Sequence, residues 1–279
     1  MKKLFSLIGL ISLACVSFFM TEKTTTVIKN VDNIMLEIKD KYKNYEREST
    51  NAEILDDKII PGIKGINVDI NKSYQKMKKY GYYNDKLYVY KKIKPNISIQ
   101  DHLDKYVISG NKINRNVSII FIVDSNTNID NILNILNKNK VIGNLFVDDI
   151  WFSDNNELLL NLINQGYTIG NLSHNLDYLD SSFGWMDTII KSLSNQKQGF
   201  CYYTDNIDNL KSCVRYKNYT IKPIEINNNY LYEVKKNINN GVMFSFKINN
   251  NLEKELDIII NYIKSKGYNL VNINELLSE

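Results

Sequence analysis

A chain of 279 residues, 43% hydrophobic and 24% charged, has the composition of an ordinary globular protein. Its 35 basic and 31 acidic residues are interspersed and leave a net charge of only +4, which argues against nucleic acid as a partner. Three cysteines are too few for a disulfide framework.

The N-terminus, "MKKLFSLIGLISLACVSFFM", places Lys2 and Lys3 before an uncharged run from Leu4 to Met20. That run sits at the lower limit for crossing a bilayer and is long for a signal-peptide core. No small-x-small cleavage pattern follows it, and Cys15, after Ser12-Leu13-Ala14, makes a poor lipoprotein box. A signal anchor over residues 1–21 is the expectation, with a cleaved signal peptide as the alternative. The positive flank stays in the cytoplasm either way, so the remainder is expected outside, membrane-anchored or secreted at the cell surface.

Residues 22–50 carry Val27, Val31, Ile34, Ile38, Tyr42 and Tyr45 at spacings of three and four, which predicts an amphipathic helix of about six turns, packed on its own chain or forming a stalk. Residues 51–115 contain turn punctuation in "IIPGIKGINV" and "KYGYYND", a strand in "KLYVYKKI" and Pro95; they read as an accessory region. His102 lies there and forms no motif.

From residue 116 the pattern becomes regular. "VSIIFIV" is a continuous apolar run suited to a strand buried on both faces. After it come helix "NIDNILNILNKN", strand "GNLFV", helix "DNNELLLNLINQ", strand "YTIG", helix "GWMDTIIKSLSN", strand "FCYY" and helix "NIDNLKSCVRY". Strand "YTIKPIEI", helix "NYLYEVKKNIN", strand "GVMFSFKI", helix "LEKELDIIINYIKSKG", strand "YNLVNI" and a terminal turn complete the series. Such alternation means a parallel sheet with helices outside, and the lack of a Gly-rich phosphate loop favours a small, irregular barrel of the α/β class. Site residues then belong on the loops after the strand C-termini. Cys201 at a strand end and Cys213 on the next helix are expected to be two buried thiols rather than a disulfide.

Four separated segments carry a resemblance. "SIIFIVDSNTN" is similar to a first strand that normally ends T-F-D-D-G, and "VIGNLFVDD" to A-T-F-F-V. "NQGYTIGNLSHNLDYL" follows the frame G-H-E-I-G-N-H-T-x-x-H-x-x-L. "GVMFSFKI" with "YIKSKGYNLVNINELL" matches an I-L-L-H strand and a closing helix–strand–helix. In this order across residues 117–279 they resemble the polysaccharide deacetylase family, the carbohydrate esterase-like NodB-homology domain. The resemblance implies an irregular seven- to eight-fold (β/α) barrel over residues 116–279.

It also implies a chemistry that can be tested position by position. The family removes acetyl groups from glycans with a divalent metal held by one Asp and two His, a second Asp as base and a late His as acid. Here one carboxylate of the first motif survives, Asp124. In one frame it is the metal ligand and Val123 stands at the base position; in the other it is the base and Ser125 replaces the ligand. Leu172 and Leu176 occupy both histidine positions. The usual R-P-P-Y-G reads Cys201-Tyr202-Tyr203-Thr204-Asp205, and Lys247 stands where the late His belongs.

Leucine has no lone pair to donate, so no metal is expected. His174, between the two leucines, reads as a hydrogen-bonding loop residue. The expectation is therefore a catalytically degenerate, exported deacetylase homologue that binds a cell-wall glycan, peptidoglycan or a partner. Its groove candidates are Asp124, Trp151, His174, Trp185, Tyr202, Tyr203, Asp205 and Lys247. Asp148 and Asp149 read as helix caps. One alternative is a remodelled deacetylase using Asp124, His174 and Asp205, with zinc or a similar ion as cofactor. The other is an interaction protein that uses the N-terminal helix to assemble a membrane-bound complex.

Overall fold

The computed structural model describes residues 29–279, together with Ile11, Cys15–Phe18 and Met20. Most of the expected anchor therefore lies outside the described residues, as does the start of the amphipathic segment. Among the described residues no helix is long and apolar enough to cross a membrane.

The chain divides into two compact units, residues up to Ser49 with Lys64–Lys94, and Thr50–Ile63 with Pro95–Glu279. The accessory region expected over residues 51–115 is thus split between them, and the larger unit begins well before residue 116.

In the smaller unit, the helix Asn33–Lys41 is capped by Asp32, whose carboxylate accepts from the Ile34 amide at 2.9 Å. It buries Ile34, Met35 and Ile38 within its own unit. A 3₁₀ turn over Tyr42–Tyr45 ends it, so the described helix is shorter than six turns. A second helix, Ile70–Tyr80, starts at the Asp69 cap and stops at Gly81, whose φ of +80° suits the left-handed C-terminal position.

In chain order the strands are β1 (Glu53–Leu55), β2 (Lys58–Ile60), β3 (Gly65–Val68), β4 (Tyr90–Ile93), β5 (Tyr106–Val107), β6 (Asn116–Val123), β7 (Asn144–Asp148), β8 (Thr168–Ser173), β9 (Phe200–Tyr202), β10 (Tyr219–Ile221), β11 (Ile224–Ile226), β12 (Met243–Lys247) and β13 (Asn269–Leu270). β3 and β4 form an antiparallel ribbon in the smaller unit. All the others belong to one sheet of the larger unit, in the order β1-β2-β5-β10-β9-β8-β7-β6-β12-β11, with β13 beside β6. Apart from the β1–β2 pair its strands run parallel.

Alternation along each strand sorts its side chains between two cores, as the two-residue period of a strand requires. Ile119, Phe121 and Val123 of β6, Leu145 and Val147 of β7, and Phe244 and Phe246 of β12 join a cluster with helical residues such as Ile132, Leu256 and Ile260. Ile120, Phe146, Leu172, Tyr202 and Met243 make a separate cluster on the concave face. Gly170 of β8 stands opposite Phe146 of β7, and a Cβ there would fall 2.4 Å from the Phe146 ring. The missing side chain makes room for that ring.

The strands follow barrel order, but the barrel is incomplete. "YTIKPIEI", expected as one strand, is two: β10 pairs with β9, and β11 pairs with β12. Pro223 lies between them and has no N–H to continue a ladder. The chain itself crosses the opening, and the sheet is a half-barrel. The free side of β10 is covered by β5, then β2 and β1, so that this edge of the sheet is the short, exposed strand β1.

Cys201 of β9 and Cys213 of the helix Ile207–Arg215 form a disulfide, contrary to the expectation of two buried thiols. Helix and strand pack closely enough there that both residues are fully buried. Cys15 is the remaining cysteine and is free. One titratable thiol per unreduced, denatured chain is expected. Replacing both bridged cysteines by alanine should lower stability by about 3 kcal/mol in urea unfolding, as a loop of this size implies. Three reactive thiols would contradict the pairing.

Candidate functional site

Adjacent strands deliver the site residues to one end of the sheet. Asp124 follows β6 and Lys247 ends β12; Lys247 Nζ lies 3.6 Å from Asp124 Oδ2. The carboxylate is also held locally, accepting from the Thr127 hydroxyl at 2.7 Å and the Asn126 amide at 3.3 Å. Both partners are largely exposed, so the ion pair contributes at most about 1 kcal/mol. Its consequence is chemical: a cation stands beside the one surviving carboxylate of the first motif.

β7 and β8 end together, with Asp148 in register with Ser173 across a bulge. Asp148 is buried and caps the helix Asp149–Asp154, accepting from the Trp151 amide at 2.7 Å and the Ser125 amide at 2.8 Å. Burial pushes its carboxyl upward, against the lowering effect of those two amides. Asp149 does more than extend the cap: its Oδ1 lies 3.1 Å from His174 Nδ1. This hydrogen bond, reinforced by the carboxylate's charge, raises the His174 pKa above its ordinary value.

The loop between the two leucines has an unusual backbone. Ser173, Asn175 and Leu176 have φ of 55°, 50° and 64°. Left-handed conformation costs an ordinary L-residue about 1–2 kcal/mol, most clearly for a branched side chain such as leucine. Surrounding bonds offset the cost. Ser173 donates its amide to Asn171 Oδ1 at 2.7 Å and its hydroxyl to the Asp177 carbonyl at 2.6 Å. The Leu176 amide donates to the Leu172 carbonyl at 2.9 Å, and Asn209 Nδ2 donates to the Leu176 carbonyl at 2.8 Å.

Leu172 is buried in the concave cluster with Phe146 and Tyr202, and Leu176 packs against the same cluster. The positions that the resemblance assigns to nitrogen donors are therefore an apolar floor. A divalent ion does not fit this residue set. Asp124, the one inherited ligand candidate, is engaged by Lys247 and Thr127, and among the described residues no group of three or more His, Cys, Asp or Glu is arranged to hold a metal.

The aromatic candidates separate. Trp151 is buried, donating Nε1–H to the Thr127 carbonyl at 3.2 Å, and has no free ring face. Tyr202 is buried as well. Its hydroxyl donates to Glu225 Oε1 at 2.9 Å and lies 2.7 Å from Ser245 Oγ, tying β9 to β11 and β12 across the barrel's opening. Both are groove candidates of the sequence; packing and hydrogen bonding hold the two rings in place, and Trp151 also borders the concavity beside Asp124. Tyr203 is partly exposed, donates to Asp205 at 3.3 Å, and lies beneath the Lys222 ammonium at 3.7 Å from its ring centre. Trp185 is exposed on the helix Ser181–Ser194 and meets Phe152 edge-on at 5.4 Å.

Beside Asp124 lies a concavity of about 310 Å³, lined by Ser125, Asn126, Thr127, Asn128, Trp151 and Asn155 among others. These amides carry no motif in the sequence, nor do the Asp149 partner of His174 and the Lys222 cover on Tyr203. An acidic pair directly after an apolar strand was the available signal for Asp149. The others depend on which strands become neighbours.

No protein-family model matches this chain. It is 26% identical over 296 residues to the uncharacterized protein YlxY of Bacillus subtilis, covering 93% of this chain and 88% of that protein. BA3943 of Bacillus anthracis, a CE4 family pseudoenzyme, superposes with a TM-score of 0.63 at 23% identity over 89% of this chain and 96% of its own. A mutant of BA3943 with restored enzymatic activity gives 0.64 at 24% identity, over 89% and 99%. PdaA of Bacillus subtilis, a family 4 carbohydrate esterase, gives 0.53 at 18% identity, over 63% of this chain and 86% of its own. The fold is that of the family 4 carbohydrate esterases, the polysaccharide deacetylases. The BA3943 likeness reaches beyond the deacetylase core and spans most of the chain.

The Asp149–His174 contact has a measurable consequence. Because the folded pKa is raised, the pair's contribution to stability is fully present below pH 6.5 and is lost as pH rises through the raised value. Asp149→Asn should return His174 toward 6.5. An NMR titration needs to resolve only two histidines, His102 and His174. An unchanged His174 midpoint in the variant would show that the contact does not operate in solution.

Proposed function

We propose that this protein is an exported, catalytically degenerate deacetylase homologue that binds cell-wall glycan through its strand-end surface. The observation that carries the proposal is the apolar floor: Leu172, where the resemblance puts one histidine, lies in the buried cluster with Phe146 and Tyr202, and Leu176, where it puts the other, packs against that cluster. Lys247, 3.6 Å from Asp124, supports the same reading, because a lysine replaces the general acid and competes with any metal for the carboxylate. The Cys201–Cys213 disulfide accords with an oxidising, extracytoplasmic location. An apolar run after Lys2 and Lys3 supplies the means of export and of membrane attachment.

The binding surface consists of polar groups suited to sugar hydroxyls and acetamides. Asp124, Lys247, His174, Tyr203 and Asp205 are available at the strand ends, and the concavity beside Asp124 adds a wall of amides and hydroxyls. The Bc1960 peptidoglycan N-acetylglucosamine deacetylase, with a TM-score of 0.52, supports a cell-wall glycan as ligand class. No metal is needed for this function, and none fits.

The remodelled-enzyme alternative is disfavoured by the partners of its residues. His174 is bonded to Asp149, Asp205 to Tyr203, and Asp124 to Thr127 and Lys247, with no hydrogen bond among the three. The two lost proton-transfer groups were each worth about 10²–10⁴-fold in rate.

Acetate release from N-acetylglucosamine oligomers or peptidoglycan should match the buffer blank with or without added zinc. Calorimetry with the same oligomers should show saturable binding that weakens in Tyr203→Ala. Metal-dependent release abolished by Asp124→Ala would establish the enzyme instead. Absent binding to every glycan tested would leave the protein-partner reading in its place.

A further inference from the structure

The mild net charge of the chain conceals a segregation between its two units. Residues 29–49 and 64–94 of the smaller unit carry fourteen Lys and Arg against seven Asp and Glu, a net +7. The larger unit, residues 50–63 and 95–279, carries eighteen against twenty-three, a net −5. The excess is concentrated in residues 64–94, with nine lysines and two acids.

Those acids are already occupied. Asp69 is buried, caps a helix, and lies 3.1 Å from Lys91 Nζ and 4.0 Å from Lys72 Nζ. Asp85 accepts from the Tyr45 hydroxyl at 3.2 Å. Lys78 is paired with Asp32. That leaves Lys76, Lys79, Lys86, Lys92 and Lys94 exposed, with no ion-pair partner among the described residues. Lys76 and Lys79 lie on one face of the helix Ile70–Tyr80, at a spacing of three. Every residue of β4 is exposed, Tyr90 and Ile93 included, and Tyr80 and Tyr82 are exposed next to the helix end.

We infer that the smaller unit is a docking module for an anionic phospholipid surface. Lysines without counter-charges attract such a surface, and tyrosines are the side chains that favour the interfacial zone, with an apolar ring and a polar tip. Position in the chain selects lipid over a soluble polyanion. The apolar run expected to insert in the bilayer ends at Met20, nine residues before Lys29, a reach of at most about 30 Å. A unit tethered so closely meets the lipid headgroups at high effective concentration. The inference uses the membrane attachment of the proposed function but none of its glycan chemistry, so either can fail alone.

The full chain can be reconstituted in two sets of vesicles, one wholly phosphatidylcholine and one with a third phosphatidylglycerol. Its apolar run holds it at both surfaces, and only the lipid charge differs. Hydrogen exchange of peptides covering residues 70–94 is expected to slow on the anionic vesicles and to recover in 0.5 M NaCl. Exchange in the helix Asn250–Ser265 reports that the larger unit stays folded. Lys76→Gln, Lys79→Gln and Lys92→Gln together should weaken docking by about 10²-fold, at about fivefold per lysine, and abolish the protection. Equal exchange on both vesicles would overturn the inference. So would protection by soluble polyphosphate on phosphatidylcholine vesicles without protection by anionic lipid, since that would assign the unit to a polymer.

Discussion

The apolar cluster that holds Leu172, Phe146 and Tyr202 on the concave face of the half-barrel is the constraint on which the strand-end surface depends. In a metal-dependent deacetylase this level of the sheet presents nitrogen donors to an ion. Here it presents a hydrocarbon floor, continuous with the interior packing. Gly170 admits the Phe146 ring, Phe146 meets Tyr202, and Tyr202 joins β9 to β11 and β12 through Glu225 and Ser245. Leu172 is therefore part of the core, and Leu176 packs against it. A histidine in place of Leu172 would put an imidazole in an apolar site, at a cost of about 1–3 kcal/mol for each polar group left without a partner.

The loop between the two leucines is held in its shape by its own hydrogen bonds. Three left-handed residues among Ser173–Leu176 hold the segment open at the end of β8. Asn171, Asp177 and Asn209 offset their cost, through hydrogen bonds to the loop's own backbone and side chains. Such a scaffold fits a binding role. It fixes His174 against Asp149 and leaves the strand ends of β6 and β12 open around Asp124 and Lys247.

Much of this was legible in the sequence. Apolar runs such as "VSIIFIV" and helical spacing such as that of Ile132 and Leu136 gave the parallel layers. The frame around residues 166–179 puts the two leucines where the resemblance would put histidines. What was not legible depends on contacts between distant segments. Pro223 in the middle of "YTIKPIEI" was the visible mark of the barrel's opening, yet a short apolar stretch does not show that its halves choose different neighbours. The disulfide depended on how closely one helix approaches β9. Tyr202 and Trp151 are the same residue types as surface platforms, and only burial distinguishes the two uses. The residues before 116 carried no family frame, so nothing in the sequence divided them between a half-barrel edge and a separate unit.

A calorimetric zinc titration tests most directly the claim that the metal site has been converted into core. The wild-type chain, with its bridged cysteines intact, should show no stoichiometric binding. Leu172→His with Leu176→His, run beside it, should gain affinity and should unfold at lower urea without zinc than with it. One-site zinc binding by the wild type, weakened by Asp124→Ala, would contradict the account.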